Sequence, residues 1–286
     1  MTWSIASETG VLRDVLLCRP DHYEWIPTND IARRALGAGQ QANPQTLMAQ
    51  YGEMESALDT AGVTRHYLDP LDGLPYQIYT RDSSQMTPWG VMLTQMERPQ
   101  RRGELGPILS FYQSIDCPIW KVAGNGNVEG GDIHVIGRNR MVVGYSGGRT
   151  EKSGAEQLVN WFRAEGWDAI AVPFAEHFLH LDVIFCMLNQ DMAIACADVL
   201  DDAFLAWLDA CNIKVIPVSY KEAMHHMACN VLALGNDRII SPNHCARANA
   251  AMRAEGFDVL DPHLDQFATG GGSIHCMTMP LRRDPL

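Results

Sequence analysis

The sequence lacks an excess of positive charge. Its 22 Lys and Arg residues stand against 34 Asp and Glu residues, which gives a formal net charge of −12 at pH 7 with histidine neutral. No basic stripe is present that would neutralise the phosphates of a nucleic acid or the headgroups of an anionic membrane. The charge balance therefore excludes nucleic acid as the main partner, and no membrane partner is expected.

Long apolar runs and leader features are also missing. No apolar stretch approaches the roughly 18–20 residues of a membrane span. Residues 1–8 carry neither the basic start nor the apolar core of a signal peptide. The eight cysteines are scattered, mostly within apolar segments, which is typical of reduced thiols rather than a disulfide framework. We therefore expect a cytoplasmic globular protein that folds as a single domain over residues 1–286.

Helical periodicity is present in several segments. Apolar residues recur at near-helical spacing over 47–58, after Pro44, and over 155–162, before Gly166. Two shorter helices are predicted over 204–208 and 248–252.

The chain runs five times from a helix through a tight stop into a short apolar strand. The stop residues are Gly62, Cys117, Gly166, Asn212 and Gly256. Neighbouring stops lie 44 to 55 residues apart, a period that is typical of repeated supersecondary units. We therefore predict an α/β fold of five ββαβ-type units closed around a pseudo-fivefold axis. Generic α/β alternation with coincidental spacing is the alternative.

Such an arrangement would direct one loop of each unit to the same place. Each stop is followed, 12 to 20 residues later, by a polar or reactive residue beside a glycine-rich or polar interruption. These residues are Asp82, Glu129, His180, Asn230 and Cys276. Two carboxylates, an imidazole and a thiol would then share one central cavity.

The thiol in this group is the candidate nucleophile. Cys276 follows the glycine-rich residues 270–273, where a substrate and the backbone can approach closely. In a strand, His180 and Asp182 would point to the same face, which places a base beside a carboxylate. A strand end with solvated polar residues is the alternative for that pair.

Several carboxylates around one cysteine also indicate the charge of the ligand. Anions raise the pKa of a thiol and suppress its thiolate form. A cationic ligand would neutralise them, and a planar guanidinium fits best because carboxylates bind it bidentately.

At this point the motifs resemble those of the guanidino-group modifying (pentein) superfamily. That superfamily comprises arginine deiminases, dimethylarginine dimethylaminohydrolases, agmatine deiminases and amidinotransferases. The resemblance runs end to end and is carried by the opening strand at 7–20, Tyr-Thr-Arg-Asp at 79–82, Glu-Gly-Gly-Asp at 129–132, His-Leu-Asp at 180–182 and the nucleophile loop at 270–276.

The resemblance implies covalent catalysis without a cofactor or a bound metal. Cys276 would attack the guanidinium carbon, and His180 would protonate the leaving ammonia or amine and then activate water. Glu129 would hold His180 and one guanidinium edge. Asp82 and Asp182 would bind the other guanidinium nitrogens.

Two arginines extend the implied site. Arg101 and Arg149 match positions that clamp the substrate α-carboxylate in related enzymes, although without the resemblance both would be interpreted as solvated surface charge. With them, a free amino acid fits better than agmatine, which has no carboxylate. The implied function is a hydrolase acting on the guanidino group of L-arginine or an N-substituted arginine.

The exact substrate stays open, because the motifs are mixed. Asp182 resembles deiminases, whereas residues 101–104 look more like dimethylarginine hydrolases and 274–276 like agmatine deiminases. Tyr76 and Ser83 depart from the arginine deiminase pattern, which has a polar residue and a proline there.

Three other functions are compatible with parts of the sequence. An amidinotransferase would use the same residues and pass the amidino group to an amine. A catalytically inactive amino-acid-binding protein is a second alternative. A zinc protein would use His225, His226, Cys229, His244 and Cys245, but no second metal-binding arm accompanies them. The sequence leaves the homo-oligomeric state open.

Overall fold

The computed structural model describes residues 3–286, so Met1 and Thr2 of the segment predicted to lack a leader lie outside it. The strands are β1 (Leu12–Cys18), β2 (Thr64–Leu68), β3 (Ser84–Thr87), β4 (Gly90–Leu93), β5 (Ile119–Val122), β6 (Ile133–Gly137), β7 (Arg140–Tyr145), β8 (Asp168–Pro173), β9 (Phe185–Asn189), β10 (Met192–Ala195), β11 (Lys214–Pro217), β12 (Leu232–Gly235), β13 (Arg238–Ile240), β14 (Asp258–Leu260) and β15 (Met279–Arg283). The helices are α1 (Asp30–Gly37), α2 (Pro44–Thr60), α3 (Leu105–Ser114), α4 (Lys152–Ala164), α5 (Asp202–Ala210), α6 (Tyr220–His226), α7 (Ala246–Ala254) and α8 (Asp265–Gly270). None of these helices is long and apolar enough to cross a membrane.

The strands form five three-stranded sheets of one topology. Their orders are β15-β1-β2, β3-β4-β5, β6-β7-β8, β11-β10-β9 and β12-β13-β14. In each sheet the central strand is antiparallel to one neighbour and parallel to the other. A parallel pair needs a crossover connection, and α2, α3, α4, α5 and α7 supply one for each sheet. The predicted α/β class is confirmed, and each sheet has ββαβ order.

One sheet joins the two ends of the described chain. In it β1 pairs antiparallel with β15, with Leu16 opposite Met279 and Val15 opposite Pro280. The same β1 pairs in parallel with β2 across α2. Residues near the two ends of the sequence therefore complete a unit that elsewhere is continuous in the chain.

The predicted helices are confirmed at their buried faces. In α2 the Asn43 side chain accepts from the Thr46 amide and Pro44 occupies the first turn, both of which favour a helix start. The apolar residues at helical spacing in α2 are buried: Leu47, Tyr51, Met54 and Leu58. The same holds for Ala155, Leu158, Val159 and Phe162 in α4. The two shorter predicted helices are α5 and α7.

Four of the five predicted stops have the left-handed backbone that ends a helix. Their φ angles are +74° at Gly62, +82° at Gly166, +58° at Asn212 and +96° at Gly256. The prediction of Cys117 as the second stop was wrong by one residue. Asp116 has the left-handed conformation instead, with φ of +51°.

The chemistry of Asp116 and its neighbour explains the shift. Aspartate tolerates the left-handed region better than most residues because its short side chain bonds locally. The amide of Cys117 then donates to the Tyr112 carbonyl at 2.9 Å, which closes the helix end before β5 begins.

Candidate active site

The polar residues predicted to converge lie in equivalent loops. Each stands a few residues before the first strand of a sheet: Asp82 before β3, Glu129 before β6, His180 before β9, Asn230 before β12 and Cys276 before β15. The structure brings these loops together. Asp82, Glu129 and His180 place their polar atoms within 4.8 Å of one another, and Asn230 contacts Cys276.

His180 is held from two sides in the interior. Its Nε2 lies 2.7 Å from Oε2 of Glu129, and its Nδ1 lies 3.7 Å from Oδ1 of Asp82. Burial alone would lower the pKa of the imidazole. The carboxylates of Asp82, Asp132 and Glu129 outweigh burial and raise the pKa of His180 to about 10. The imidazole is therefore cationic at neutral pH and can act as an acid.

A glycine gives this imidazole its place. A β-carbon on Gly131 would lie 2.6 Å from Nδ1 of His180. The Glu-Gly-Gly-Asp segment thus packs its backbone directly against the imidazole.

The backbone around His180 differs from the prediction. Residues His180 and Asp182 do not lie in a strand, since a 3-10 helix occupies Leu181–Val183 and β9 begins only at Phe185. The reason is a side-chain bond from the 3-10 turn that precedes β6: the Leu181 amide donates to Oδ1 of Asp132 at 2.7 Å. The predicted same-face pairing of His180 and Asp182 was therefore wrong.

Glu129 is fully buried, and both oxygens of its carboxylate have hydrogen-bond partners. Besides His180, its carboxylate accepts from Nη1 of Arg149 at 3.3 Å and from the Glu97 amide at 3.0 Å. Burial would raise the pKa of Glu129, but the Arg149 charge and the His180 bond hold it well below its usual range. The carboxylate is therefore ionised and fixes the imidazole.

Cys276 lies beside an amide and a carboxylate. Nδ2 of Asn230 donates to Sγ at 3.1 Å, and Sγ lies 3.3 Å from Oδ2 of Asp182. Burial raises the pKa of the Cys276 thiol well above its usual value, and the charges of Asp182 and Asp82 raise it further. The thiol is therefore protonated until a positive charge arrives nearby. Asn230 belonged to the predicted loop set, but its contact with sulfur was not foreseen.

Asp182 lies behind the thiol. Its Oδ2 also accepts from Nδ1 of His275 at 2.8 Å, whereas its Oδ1 is buried without a partner. Burial would raise the pKa of Asp182, but the bond from His275 outweighs it and lowers the pKa to about 2. Burial in turn lowers the pKa of His275 to about 4, so His275 is a neutral donor at pH 7.

Arg101 is more heavily engaged than a free carboxylate clamp. Its guanidinium donates to Asp82 at 2.5 Å and to both oxygens of Glu104. It also donates to the carbonyls of Tyr76 and Tyr79. An arginine has five N–H donors. Both N–H groups of Nη2 are shared among one Glu104 oxygen and the two carbonyls, and one N–H of Nη1 binds Asp82. A single N–H on Nη1 therefore remains for a substrate.

A small cavity lies between these groups. Five of the seven predicted site residues line it: Asp82, Arg101, Arg149, His180 and Cys276. Asn29, Tyr76, Tyr79, Leu179 and Gly271 complete the lining. A larger cavity shares Asn29, Arg149 and Leu179 with it and also includes Arg33 and Arg98. Glu129 and Asp182 are not among the lining residues of either cavity.

Two groups of side chains in the described part of the chain have metal-ligand spacing. One is Asp82, Glu129 and His180, and the other is His134, Cys186 and His275. The first group already bonds to the guanidinium ions of Arg101 and Arg149, which suits it to organic cations. The zinc candidates of the sequence do not form such a group within residues 3–286. His225 bonds to Arg34 and His244 bonds to the His226 carbonyl instead.

One family model covers most of the chain. Residues 20–283 match the family model for N,N dimethylarginine dimethylhydrolase, eukaryotic. The uncharacterized protein YkgA of Bacillus subtilis is 28% identical over 97% of this chain and 94% of its own length. Arginine deiminase of Listeria monocytogenes is 26% identical over 76% of this chain and 63% of the deiminase.

Solved structures show the shared fold. The N-terminal domain of ArgZ, a cyanobacterial arginine dihydrolase, gives a TM-score of 0.82 at 20% identity over 94% of this chain and 97% of that domain. DDAH of Pseudomonas aeruginosa, a cysteine-to-serine mutant complexed with citrulline, gives 0.77 at 20% identity over 94% of this chain and 99% of that one.

Proposed function

Because the chain belongs to the N,N dimethylarginine dimethylhydrolase family, within the pentein superfamily of guanidino-modifying proteins, we propose that it hydrolyses the guanidino group of L-arginine or an N-substituted arginine. The observation that carries this proposal is a thiol, a cationic imidazole and a carboxylate lining one buried cavity. A covalent intermediate on Cys276 would link the two halves of the reaction.

Binding of the substrate cation is the first step. A guanidinium in the cavity would lie beside Asp82 and beside the Cys276 sulfur, which Asp182 contacts from behind. The charges of these two carboxylates otherwise suppress the thiolate of Cys276. The positive charge of the guanidinium offsets theirs and lowers the pKa of the thiol, so the thiol releases its proton to solvent, and Nδ2 of Asn230 donates to the resulting thiolate. The substrate thus activates its own nucleophile.

Formation of the intermediate follows. The thiolate adds to the guanidinium carbon and a C–S bond forms. The His180 imidazolium gives its proton to the leaving nitrogen, the C–N bond breaks, and ammonia or an amine departs. An amidino-thioether remains on Cys276, and His180 is neutral.

Hydrolysis reverses the role of His180. The neutral imidazole removes a proton from water, and the resulting hydroxide adds to the thioether carbon. The C–S bond breaks, the added hydroxyl loses its proton to solvent, and the ureido product leaves with the thiolate and the imidazolium restored. Glu129 stabilises the imidazolium in both halves through its 2.7 Å contact.

The environment of Asp182 supports a substrate with unmethylated nitrogens. Its Oδ1 is buried without a partner next to the nucleophile. A guanidinium N–H would satisfy this oxygen, whereas a methyl group would leave it unpaired. The order of preference that follows is arginine before dimethylated arginines. Arg149 lies between the two cavities, where it can bind the α-carboxylate together with the remaining N–H of Arg101.

We also propose that the five ββαβ units close around a pseudo-fivefold axis in one catalytic domain. The equivalent position of the five converging residues, each before the first strand of its sheet, supports this arrangement.

The test is intact-protein mass spectrometry after acid quench during turnover of L-arginine. We expect an amidino adduct on the wild-type protein, with citrulline and ammonia as products, and neither adduct nor turnover in Cys276→Ser. Cys117→Ala, which removes a different buried thiol, should behave like the wild type.

Other substrates give the remaining outcomes their meaning. Dimethylarginine, agmatine and an amine acceptor are assayed in parallel. An adduct that forms from arginine but is resolved only by the amine would replace hydrolysis with amidino transfer. Release of ornithine with two ammonia molecules would indicate a dihydrolase. No adduct from any guanidino compound would refute the proposal.

A further inference from the structure

The backbone immediately before His180 is strained. Leu179 has φ of +72° and ψ of −69°. The His180 amide donates to the Phe178 carbonyl at 2.9 Å across it. These features define the γ-turn with positive φ, which is rare and strained. A bulky non-glycine residue in this region is an outlier whose surroundings must hold it there.

Contacts on both sides fix the ends of the turn. On one side the Phe178 side chain is buried and packs against Tyr220, with a ring-centroid distance of 5.8 Å. On the other side the Leu181 amide is held by Asp132 at 2.7 Å. Leu179 and His180 therefore have little freedom to relax into ordinary backbone conformations.

The turn also decides where the imidazole lies. His180 is the last residue of the γ-turn. Its imidazole fits between the Gly131 backbone and the Glu129 carboxylate. A residue with a β-carbon restricts the turn to few conformations, whereas glycine would allow many. Strained backbone of this kind clusters at active sites, where the surrounding structure holds it in place.

We propose that Leu179 is a positioning residue, whose γ-turn fixes the His180 imidazole against Glu129. This inference rests on the proposed function for its kinetic consequence. Leu179 also lines both cavities, so its side chain could affect the substrate directly. Two substitutions separate the turn from the side chain: Leu179→Gly releases both, and Leu179→Ala removes most of the side chain but keeps the β-carbon.

The expected results differ in direction. Glycine adopts positive φ without strain, so Leu179→Gly should melt at the same temperature as the wild type or higher. Its kcat should fall by about tenfold or more, because a shift of about 1 Å in a reacting group is costly. KM should change by less than about threefold. Leu179→Ala should lose only about threefold in kcat.

A pH profile supplies a readout that a purely structural role would not move. The charged groups that face the imidazole are Glu129, Asp82 and Asp132. If the imidazole leaves Glu129 in Leu179→Gly, its pKa falls and the alkaline limb of kcat moves to lower pH. Asp116→Gly, which relieves positive φ at a helix stop, should leave kcat and its pH profile unchanged.

Nuclear magnetic resonance of the ¹⁵N-labelled histidine side chains makes the test independent of turnover. The His180 ring should titrate at lower pH in Leu179→Gly than in the wild type. The proposal is overturned if its titration and kcat are unchanged in Leu179→Gly, or if Leu179→Ala loses as much as Leu179→Gly. If the wild type hydrolyses no guanidino compound, the proposed function fails, and the ring titration still decides the role of Leu179.

Discussion

At the scale of single residues, the site is a set of buried charges that need one another. Glu129 is ionised because Arg149 and His180 bond to it, and His180 is cationic because carboxylates surround it. A buried ion without its partner is strongly unfavourable. Removal of one partner should therefore change the protonation of the others before it changes the fold.

The first prediction concerns His180, the proposed acid. In Glu129→Gln the His180 imidazolium loses a negative partner at 2.7 Å, so its pKa should fall from about 10 by about one unit or more. Because the acid form starts the reaction, the alkaline limb of kcat/KM should move to lower pH by the same amount. A pH–rate profile measures this shift.

The same pKa shift makes the stability of the protein depend on pH. The folded pKa of His180 lies above the unfolded value of about 6.5. Its contribution to stability is therefore complete below pH 6.5 and is lost as pH rises toward 10. Glu129→Gln should reduce this loss. Glu97→Gln, whose carboxylate pairs with Arg98, is the matched control, and an unmoved limb in Glu129→Gln would contradict the assignment.

At the scale of elements, the helix stops determine where each strand begins. A left-handed residue ends the helix of every ββαβ unit, and the following residues enter the strand that pairs in parallel with the central one. The same amino acid has opposite effects inside a helix and at its end, because glycine weakens the first and suits the second.

One glycine inside α2 and one just after its end test these opposite effects directly. A β-carbon at Gly52, inside the helix, would meet nothing within 4 Å, so Gly52→Ala should stabilise the protein by about 0.5–1 kcal/mol. Gly62 has φ of +74°, so Gly62→Ala should destabilise it by about 1 kcal/mol. Urea unfolding of both variants measures the effects. Shifts of the same sign would show that the backbone argument is wrong.

At the scale of the whole molecule, one unit depends on both ends of the chain. The sheet that contains β15 and β1 also carries Cys276, three residues before β15. The Gly10 carbonyl accepts from Nη1 of Arg283 at 2.6 Å, and the Asp284 amide donates to the Val11 carbonyl at 2.9 Å. Cys276, the proposed nucleophile, therefore lies next to a joint between distant segments.

A substitution at this joint should affect stability and activity together. A β-carbon on Gly10 would lie 2.3 Å from the Asp284 carbonyl oxygen, so Gly10→Ala must push the two backbones apart. We expect a loss of about 1–3 kcal/mol in urea unfolding and a lower kcat. Gly106→Ala, in α3 with nothing within 4 Å of its β-carbon, should lower neither the stability nor kcat. Unchanged unfolding of Gly10→Ala would contradict the importance of the joint.

The sequence by itself determined what depends on local chemistry. The apolar spacing of 47–58 and 155–162 predicted α2 and α4, because a helix buries every third or fourth residue whatever its neighbours are. Four of the five predicted stop residues marked the strand starts, since glycine and asparagine themselves favour the left-handed backbone that ends a helix. The motifs also identified the loops that meet at the cavity and the superfamily to which they belong.

The tertiary structure alone decided how these loops meet. Asp132, from the turn before β6, holds the Leu181 amide and keeps His180 out of a strand. Asp82 and Glu104 engage Arg101, and His275 holds Asp182 behind the thiol. Hydrogen bonds between segments far apart in sequence leave no periodic trace in either segment. They exist only when five sheets bring their loops to one place, so the protonation states of these buried groups belong to the assembled fold.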